Sequence, residues 1–263
     1  MKFKFFTIKK ILLLSVLSLS TFSMLSQSDI VSIRTFEKGS TLVVNGDNFM
    51  INGMNWDMIP IGKDAVNTNF WNKPDELIKA GLESEMSLLK QMNVNAIRHY
   101  SDIPSKWVQY IFENYGIYTM LNHSFGRYGL TVNGVWKPIT DYSNDDTQKV
   151  LLSEIETLVN KYKNTPGLLF YLLGNENNYG LFWSGAETED FPEEESKKKA
   201  VGEKYGRPMY KLMNLAAKKI KELDSNHPVA ICNGDDLFID IVAEECRDID
   251  IFGVNSYRGA SFT

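Results

Sequence analysis

Residues Leu168–Leu173 read LLFYLL, six successive apolar side chains with no charge among them, entered through Pro166-Gly167 and left through Gly174. A strand of that composition can face water on neither side, which confines it to a parallel sheet covered by helices. The polar run Gly174-Asn175-Glu176 follows immediately, where the strand must end. In barrels of this class the chemistry is assembled at the C-terminal ends of the strands. Asn175 and Glu176 are therefore candidates for catalysis, against the plainer reading of a solvated loop start.

The rest of the chain repeats that unit. Thr41–Val44 and Phe49–Met54 read as a hairpin about Asn45-Gly46-Asp47, leading into a first core strand that ends near Asn55-Trp56. Asp75–Gln91 carries a helical apolar stripe, and Val94–Tyr100 is strand-like, ending in Arg98-His99-Tyr100. Pro104 opens a helix that Gly116 stops, and Ile117–Asn122 is a strand delivering His123. Asp145–Tyr162 is helical, then comes LLFYLL; Arg207–Leu223 is helical; Pro228–Cys232 is a strand followed by Asp235; Leu237–Glu245 is helical; and Asp250–Val254 is a strand ending at Asn255-Ser256-Tyr257. Right-handed crossovers allow an open doubly wound sheet or a closed barrel. An open sheet gathers its functional residues at one switch point. Here a polar or aromatic residue closes every strand (Trp56, Arg98, His123, Glu176, Asp235, Tyr257), so the expected fold is an α/β (β/α)8 TIM barrel with about six of its eight units present.

Charge and composition narrow the function. The chain of 263 residues is 43% hydrophobic with a formal net charge of −5, and its charges are interspersed, so it carries no nucleic-acid footprint. The acidic Glu187–Glu195 segment and Lys197–Lys199 read as a solvated loop and helix start. Lys2, Lys4, Lys9 and Lys10 precede the apolar Ile11–Leu25, which predicts a signal peptide over 1–28, export as a periplasmic or extracellular protein, and a domain over 29–263; an uncleaved anchor is the competing reading. Cys232 and Cys246 leave pairing and free thiols equally open. The three histidines fall in no H-x-H or H-E-x-x-H arrangement, so no metal or other cofactor is expected.

Three segments carry a family resemblance: NAIRHY at 95–100, GNEN at 174–177 and FGVNSYRG at 252–259. They resemble the catalytic barrel of glycoside hydrolase clan A, most closely family 2, over residues 45–263. The stretches YKNTPGLLF and DIFGVNSYRGASF also resemble family 72 β-1,3-glucanosyltransferases. The resemblance implies that Glu176 is the general acid/base, that Asn175 hydrogen-bonds the sugar 2-hydroxyl, that Arg98 and Tyr257 orient a nucleophilic carboxylate, and that His123 and Asn255 lie in the substrate site. It also implies a second Glu at the end of strand seven, whereas the sequence stops at Thr263, just after strand six. Trp56 and Trp183 are candidate sugar-stacking platforms, with loop cover or core filler as the rival reading.

The chemistry explains these residue types. A retaining glycosidase needs one carboxyl that gives a proton to the leaving oxygen and a second, ionised, ~5–5.5 Å away that attacks the anomeric carbon. The expected function is thus a retaining hydrolase acting on a β-linked oligo- or polysaccharide. A transglycosylase and, should the nucleophile be lacking, a noncatalytic glycan-binding barrel are the alternatives.

Overall fold

The computed structural model describes residues 28–58, 70–100, 103–182 and 194–256. Six strands form one parallel sheet in chain order: β4 (Gly53–Asn55), β5 (Ala96–His99), β6 (Tyr118–His123), β9 (Leu168–Leu173), β10 (Val229–Asn233) and β11 (Ile251–Val254). Helices alternate with them: α1 (Asp75–Gln91), α2 (Ser105–Tyr115), α3 (Asp145–Tyr162), α4 (Glu195–Val201) with α5 (Arg207–Leu223), and α6 (Ile239–Glu245). Each neighbour in the sheet is also the neighbour in sequence, which is the order of a TIM barrel wall and not of a doubly wound sheet.

Strand alternation sorts the side chains into two cores. Ile97, Leu121, Tyr171, Leu173 and Ile231 turn outward and pack with Ile78, Leu82 and Met86 of α1, Leu151 and Ile155 of α3, and Met213 of α5. Ala96, Met120, Leu172, Ala230 and Cys232 turn inward. The period slips once: Thr119 pairs with Leu168 but Met120 pairs with Phe170, so Leu169 is a bulge and both Leu169 and Phe170 join the inner cluster.

The bottom of the barrel is closed by an antiparallel meander of β1 (Val31–Phe36), β2 (Gly39–Val44) and β3 (Asp47–Phe49). Val31, Leu42 and Val44 extend the inner cluster downward. Asp29 ties the meander to the barrel, its carboxylate accepting the Gly167 amide at 3.1 Å and the Asn45 side chain at 2.6 Å. The Val31 amide also donates to the Asn226 carbonyl at 2.8 Å.

Four features differ from the sequence reading. The expected strand over 49–54 is divided between β3, which completes the meander, and β4, which starts the barrel; Asn95 bridges the break by bonding both Met50 and Asn52. Strand β1 was not anticipated. A second hairpin, β7 (Leu130–Val132) and β8 (Val135–Lys137), turns at Asn133-Gly134 in the loop after β6. The helix expected from Arg207 begins at Glu195, because a π turn over Gly202–Gly206 carries α4 into α5. Gly202 is needed there: a Cβ would lie 2.7 Å from the Phe238 ring.

Cys232 and Cys246 are both free thiols, the first buried among the inward residues and the second beside Tyr210. The proposed leader over 1–28 lies outside the described residues except for Ser28.

Candidate active site

Arg98 is the centre of the cluster. It is an inward residue of β5, 7% exposed, and its guanidinium lies under the mouth of the barrel. Nε and Nη2 donate to Asn122 Oδ1 of β6 at 3.0 and 2.6 Å; Nη2 also donates to Asn175 Oδ1 at 2.9 Å; and Nη1 donates to Asn255 Oδ1 at 3.4 Å. The ring of Tyr100 lies 4.6 Å from the guanidinium carbon. Every one of its hydrogen-bond partners among the described residues is neutral.

Glu176 stands beside this centre. The segment that carries it is sewn between the flanking strands, with the Gly174 amide donating to the His123 carbonyl and the Glu176 amide to the Cys232 carbonyl, each at 2.8 Å. Both Gly174 (φ 82°) and Glu176 (φ 56°) are left-handed, a conformation that a glutamate adopts only where its surroundings hold it. The Glu176 carboxylate accepts from Asn255 Nδ2 at 2.6 Å.

Two buried asparagines hold the loop from behind. Asn177 accepts the Asn175 amide at 2.8 Å and donates to the carbonyls of Ser124 and Phe125 and to the Tyr142 hydroxyl. Burial pushes that hydroxyl well above its ordinary pKa, so Tyr142 stays protonated and donates to the Phe125 carbonyl at 2.8 Å. Asn178 binds Asp235 at 3.0 Å and accepts the Gly234 amide, locking the loop after β10 to the loop after β9. Asp235 also accepts the Leu237 amide at 2.9 Å, so its carboxylate serves the turn.

Cys232, an inward residue of β10, lies under Asn255. Burial pushes its thiol up, opposed by the Arg98 charge and reinforced by that of Glu176; the net direction is upward. The sulfur therefore keeps its proton and donates to Asn255 Oδ1 at 3.0 Å.

The structure thus brings together four of the residues proposed from sequence, Arg98, Asn175, Glu176 and Asn255, and places two others elsewhere. His123 turns outward: Nδ1 accepts the Phe125 amide at 3.1 Å and Nε2 lies 3.4 Å from Glu154 of α3. Trp56 is no stacking platform, being buried in the outer core against Trp71 and His99. Both follow an inward strand position by one residue, and the pleat sends the next side chain to the other face. Trp183 and Tyr257 lie outside the described residues. Three site residues were missed: Asn122, Cys232, and Tyr128, whose exposed ring brings its hydroxyl to 3.3 Å from Asn175 Nδ2. Asn122 and Cys232 were recoverable from strand parity once Arg98 was placed inward. No group of three or more metal-ligating side chains occurs among the described residues.

Residues 36–258 match the family model described as glycosyl hydrolases family 2, TIM barrel domain. The chain belongs to this family. A β-galactosidase of Lactococcus lactis subsp. lactis is 32% identical to this family 2 barrel over 99 residues, covering 36% of this chain and 9% of that protein. A β-galactosidase of Aeromonas hydrophila subsp. hydrophila is 26% identical over 153 residues, 57% of this chain and 13% of the relative. The chain therefore spans only a small part of the curated relatives it matches. Among solved structures, the β-glucuronidase of Parabacteroides merdae superposes with a TM-score of 0.52 at 20% identity, over 84% of this chain and 22% of that one. The β-mannanase of the blue mussel Mytilus edulis gives 0.55 at 14% identity, over 87% of this chain and 74% of the other. At such identities these likenesses establish the fold of the family 2 barrel.

Proposed function

We propose that this family 2 barrel is the catalytic barrel of a retaining glycosidase acting on a β-linked glycan, with Glu176 as the acid/base. The observation that carries the reading is the placement of Glu176, one bridging asparagine away, beside an almost fully buried guanidinium whose acceptors, among the described residues, are all neutral. Removing a charge from water without a counter-charge costs several kcal/mol even after relaxation. A site that tolerates Arg98 in that state is built to receive an anion, and the attacking carboxylate of a retaining enzyme is such an anion.

In this mechanism the incoming carboxylate attacks the anomeric carbon as the bond to the leaving oxygen breaks, and Glu176 passes its proton to that oxygen. Glu176, now a carboxylate, then takes a proton from water as the water attacks the glycosyl intermediate and releases the nucleophile. Asn175, whose Nδ2 faces Tyr128, is positioned to donate to a sugar hydroxyl. The names of the relatives, β-galactosidase, β-glucuronidase and β-mannanase, share the β-linkage and support that choice of substrate class. The lysine-flanked apolar leader supports export of the protein.

The test is Glu176→Gln in the full-length protein against a panel of aryl β-glycosides. The kcat/KM for substrates with poor leaving groups should fall on the order of 10²–10⁴-fold, and far less where the leaving group needs no proton, while kcat falls for both because the second step loses its base. Wild-type rates in the variant would remove Glu176 from the reaction, and product lengthening with added acceptor sugar would make the enzyme a transglycosylase.

A further inference from the structure

We propose that Asn255 is a positioning residue for Glu176: it occupies Oε1 as a fixed donor, so that Oε2 is the oxygen that carries the transferable proton. This rests on the reading of Glu176 as the acid/base and replaces the sugar contact expected of Asn255 from the sequence.

The orientation of the Asn255 amide follows from its neighbours. A carboxamide has chemically opposite ends, an acceptor oxygen and a donor nitrogen, and the hydrogen-bond network decides which way each faces. Arginine has donors only. Whatever Arg98 Nη1 faces at 3.4 Å must accept, and that atom is Oδ1 of Asn255. The Cys232 thiol donates to the same oxygen at 3.0 Å, so both sides of the carbonyl are taken. Nδ2 is thereby turned to the mouth, where it meets Glu176 Oε1 at 2.6 Å and Asn175 Oδ1 at 3.0 Å. The main chain is fixed too, since the Asn255 amide donates to the Asn233 carbonyl at 2.8 Å. Two donors in and two acceptors out use the whole capacity of the side chain, leaving none for a hydroxyl of the substrate.

The consequence for Glu176 is directional. A donor held against one carboxylate oxygen keeps a proton off that oxygen. The proton transferred in glycosidic cleavage then sits on Oε2. Among the described residues, Arg98 of β5 and Cys232 of β10 are the charged and titratable groups facing the same cluster; Tyr128 reaches Asn175, and Asp235 is tied to Asn178. A change at position 255 also alters the acceptor of Arg98 Nη1 and of the Cys232 thiol, so the readout must separate loss of proton donation from a general loosening of the cluster.

The experiment uses the full-length protein and a series of aryl β-glycosides of rising leaving-group pKa, with kcat/KM measured for wild type, Asn255→Ala and Asn255→Asp, the last keeping the side-chain shape without the donor. Misplacing the proton costs most where the leaving oxygen needs it, so in both variants kcat/KM falls on the order of 10- to 100-fold for the poorest leaving group and far less for the best. An equal loss across the series with a raised KM overturns the proposal and makes Asn255 a sugar contact. Full activity of Glu176→Gln is a different failure, one that removes the acid/base reading itself.

Discussion

Gly174→Ala tests whether the loop after β9 is as tightly built as its contacts imply. A Cβ on Gly174 would press on Asn177 Oδ1 and lie 2.8 Å from Asn177 Cγ and 3.2 Å from Met213 Cε, where ordinary contact begins at 3.4 Å, so Asn177 must retreat by about 1 Å. Left-handed backbone (φ 82°) costs a non-glycine residue roughly 1–2 kcal/mol. Asn177 also makes four hydrogen bonds, and loosening two of them at about 0.5–1.5 kcal/mol each brings the total to roughly 2–5 kcal/mol. Because one of those bonds holds the Asn175 amide, the displacement passes directly to Glu176. A shift of about 1 Å at a catalytic group costs on the order of 10²-fold, so this one should reduce kcat/KM by about 10- to 100-fold. Gly116→Ala is the control: it ends α2 at φ 67° with nothing within 4 Å of an added Cβ, and should lose about 1 kcal/mol with unchanged kinetics. The assay pairs thermal unfolding with aryl β-glycoside kinetics on both variants. Equal destabilisation of the two, with wild-type kcat/KM in Gly174→Ala, would refute the claim that Asn177 couples this glycine to the acid.

The remaining predictions concern the barrel floor. Asp29→Ala should cost about 1–3 kcal/mol and expose residues 28–49 to limited proteolysis, because the Gly167 amide and the Asn45 side chain lose their acceptor; a protease pattern identical to wild type would refute this. Asp224 lies in a buried triad, with His227 Nδ1 and the Tyr171 hydroxyl each 2.8 Å from its Oδ2. Burial alone would raise its pKa, but the His227 bond and charge, the Asn226 amide and Tyr171 outweigh that and hold it below the ordinary 3.8. A depressed carboxyl stabilises the fold at and above the unfolded pKa and loses that contribution as pH falls through the folded one. Thermal melts should therefore show Asp224→Asn less stable than wild type at neutral pH and less sensitive to acid below about pH 4; parallel acid curves would count against the triad.

The order of elements was legible because each strand is a short apolar run and each helix a long stripe, so the period changed cleanly from unit to unit. Pairing in a strictly sequential parallel order then followed from chirality. What sequence left hidden was parity. Arg98-His99, Asn122-His123 and Asn55-Trp56 all close strands, and in each pair the more conspicuous residue drew attention; yet a pleat gives the two side chains to opposite faces. The inward member was His123's neighbour Asn122, not the histidine, and Trp56 went to the outer core. The hairpin at Asn133-Gly134 was missed for another reason: strands of three residues leave too little alternation to read, although the turn dipeptide itself was a usable signal. The π turn gave no signal, since Gly202, Gly206 and Pro208 look like breakers until Phe238 is known to pack over the glycines.

Geometry also explains why the motif after β9 reads Gly-Asn-Glu-Asn. Left-handed backbone at Gly174 and again at Glu176 turns the chain twice within three residues. Three successive side chains consequently leave in different directions: Asn175 to Arg98, Glu176 to Asn255, and Asn177 back into the wall against Tyr142. Only the first turn occurs where a Cβ would collide, so only there is glycine required. The second is imposed on a glutamate, at a cost of order 1–3 kcal/mol, by the amide bond to Cys232 and the anchoring of the residues on either side. Strain accepted at the residue carrying the carboxylate, and enforced by its neighbours, supports the proposed role of Glu176 as the acid/base.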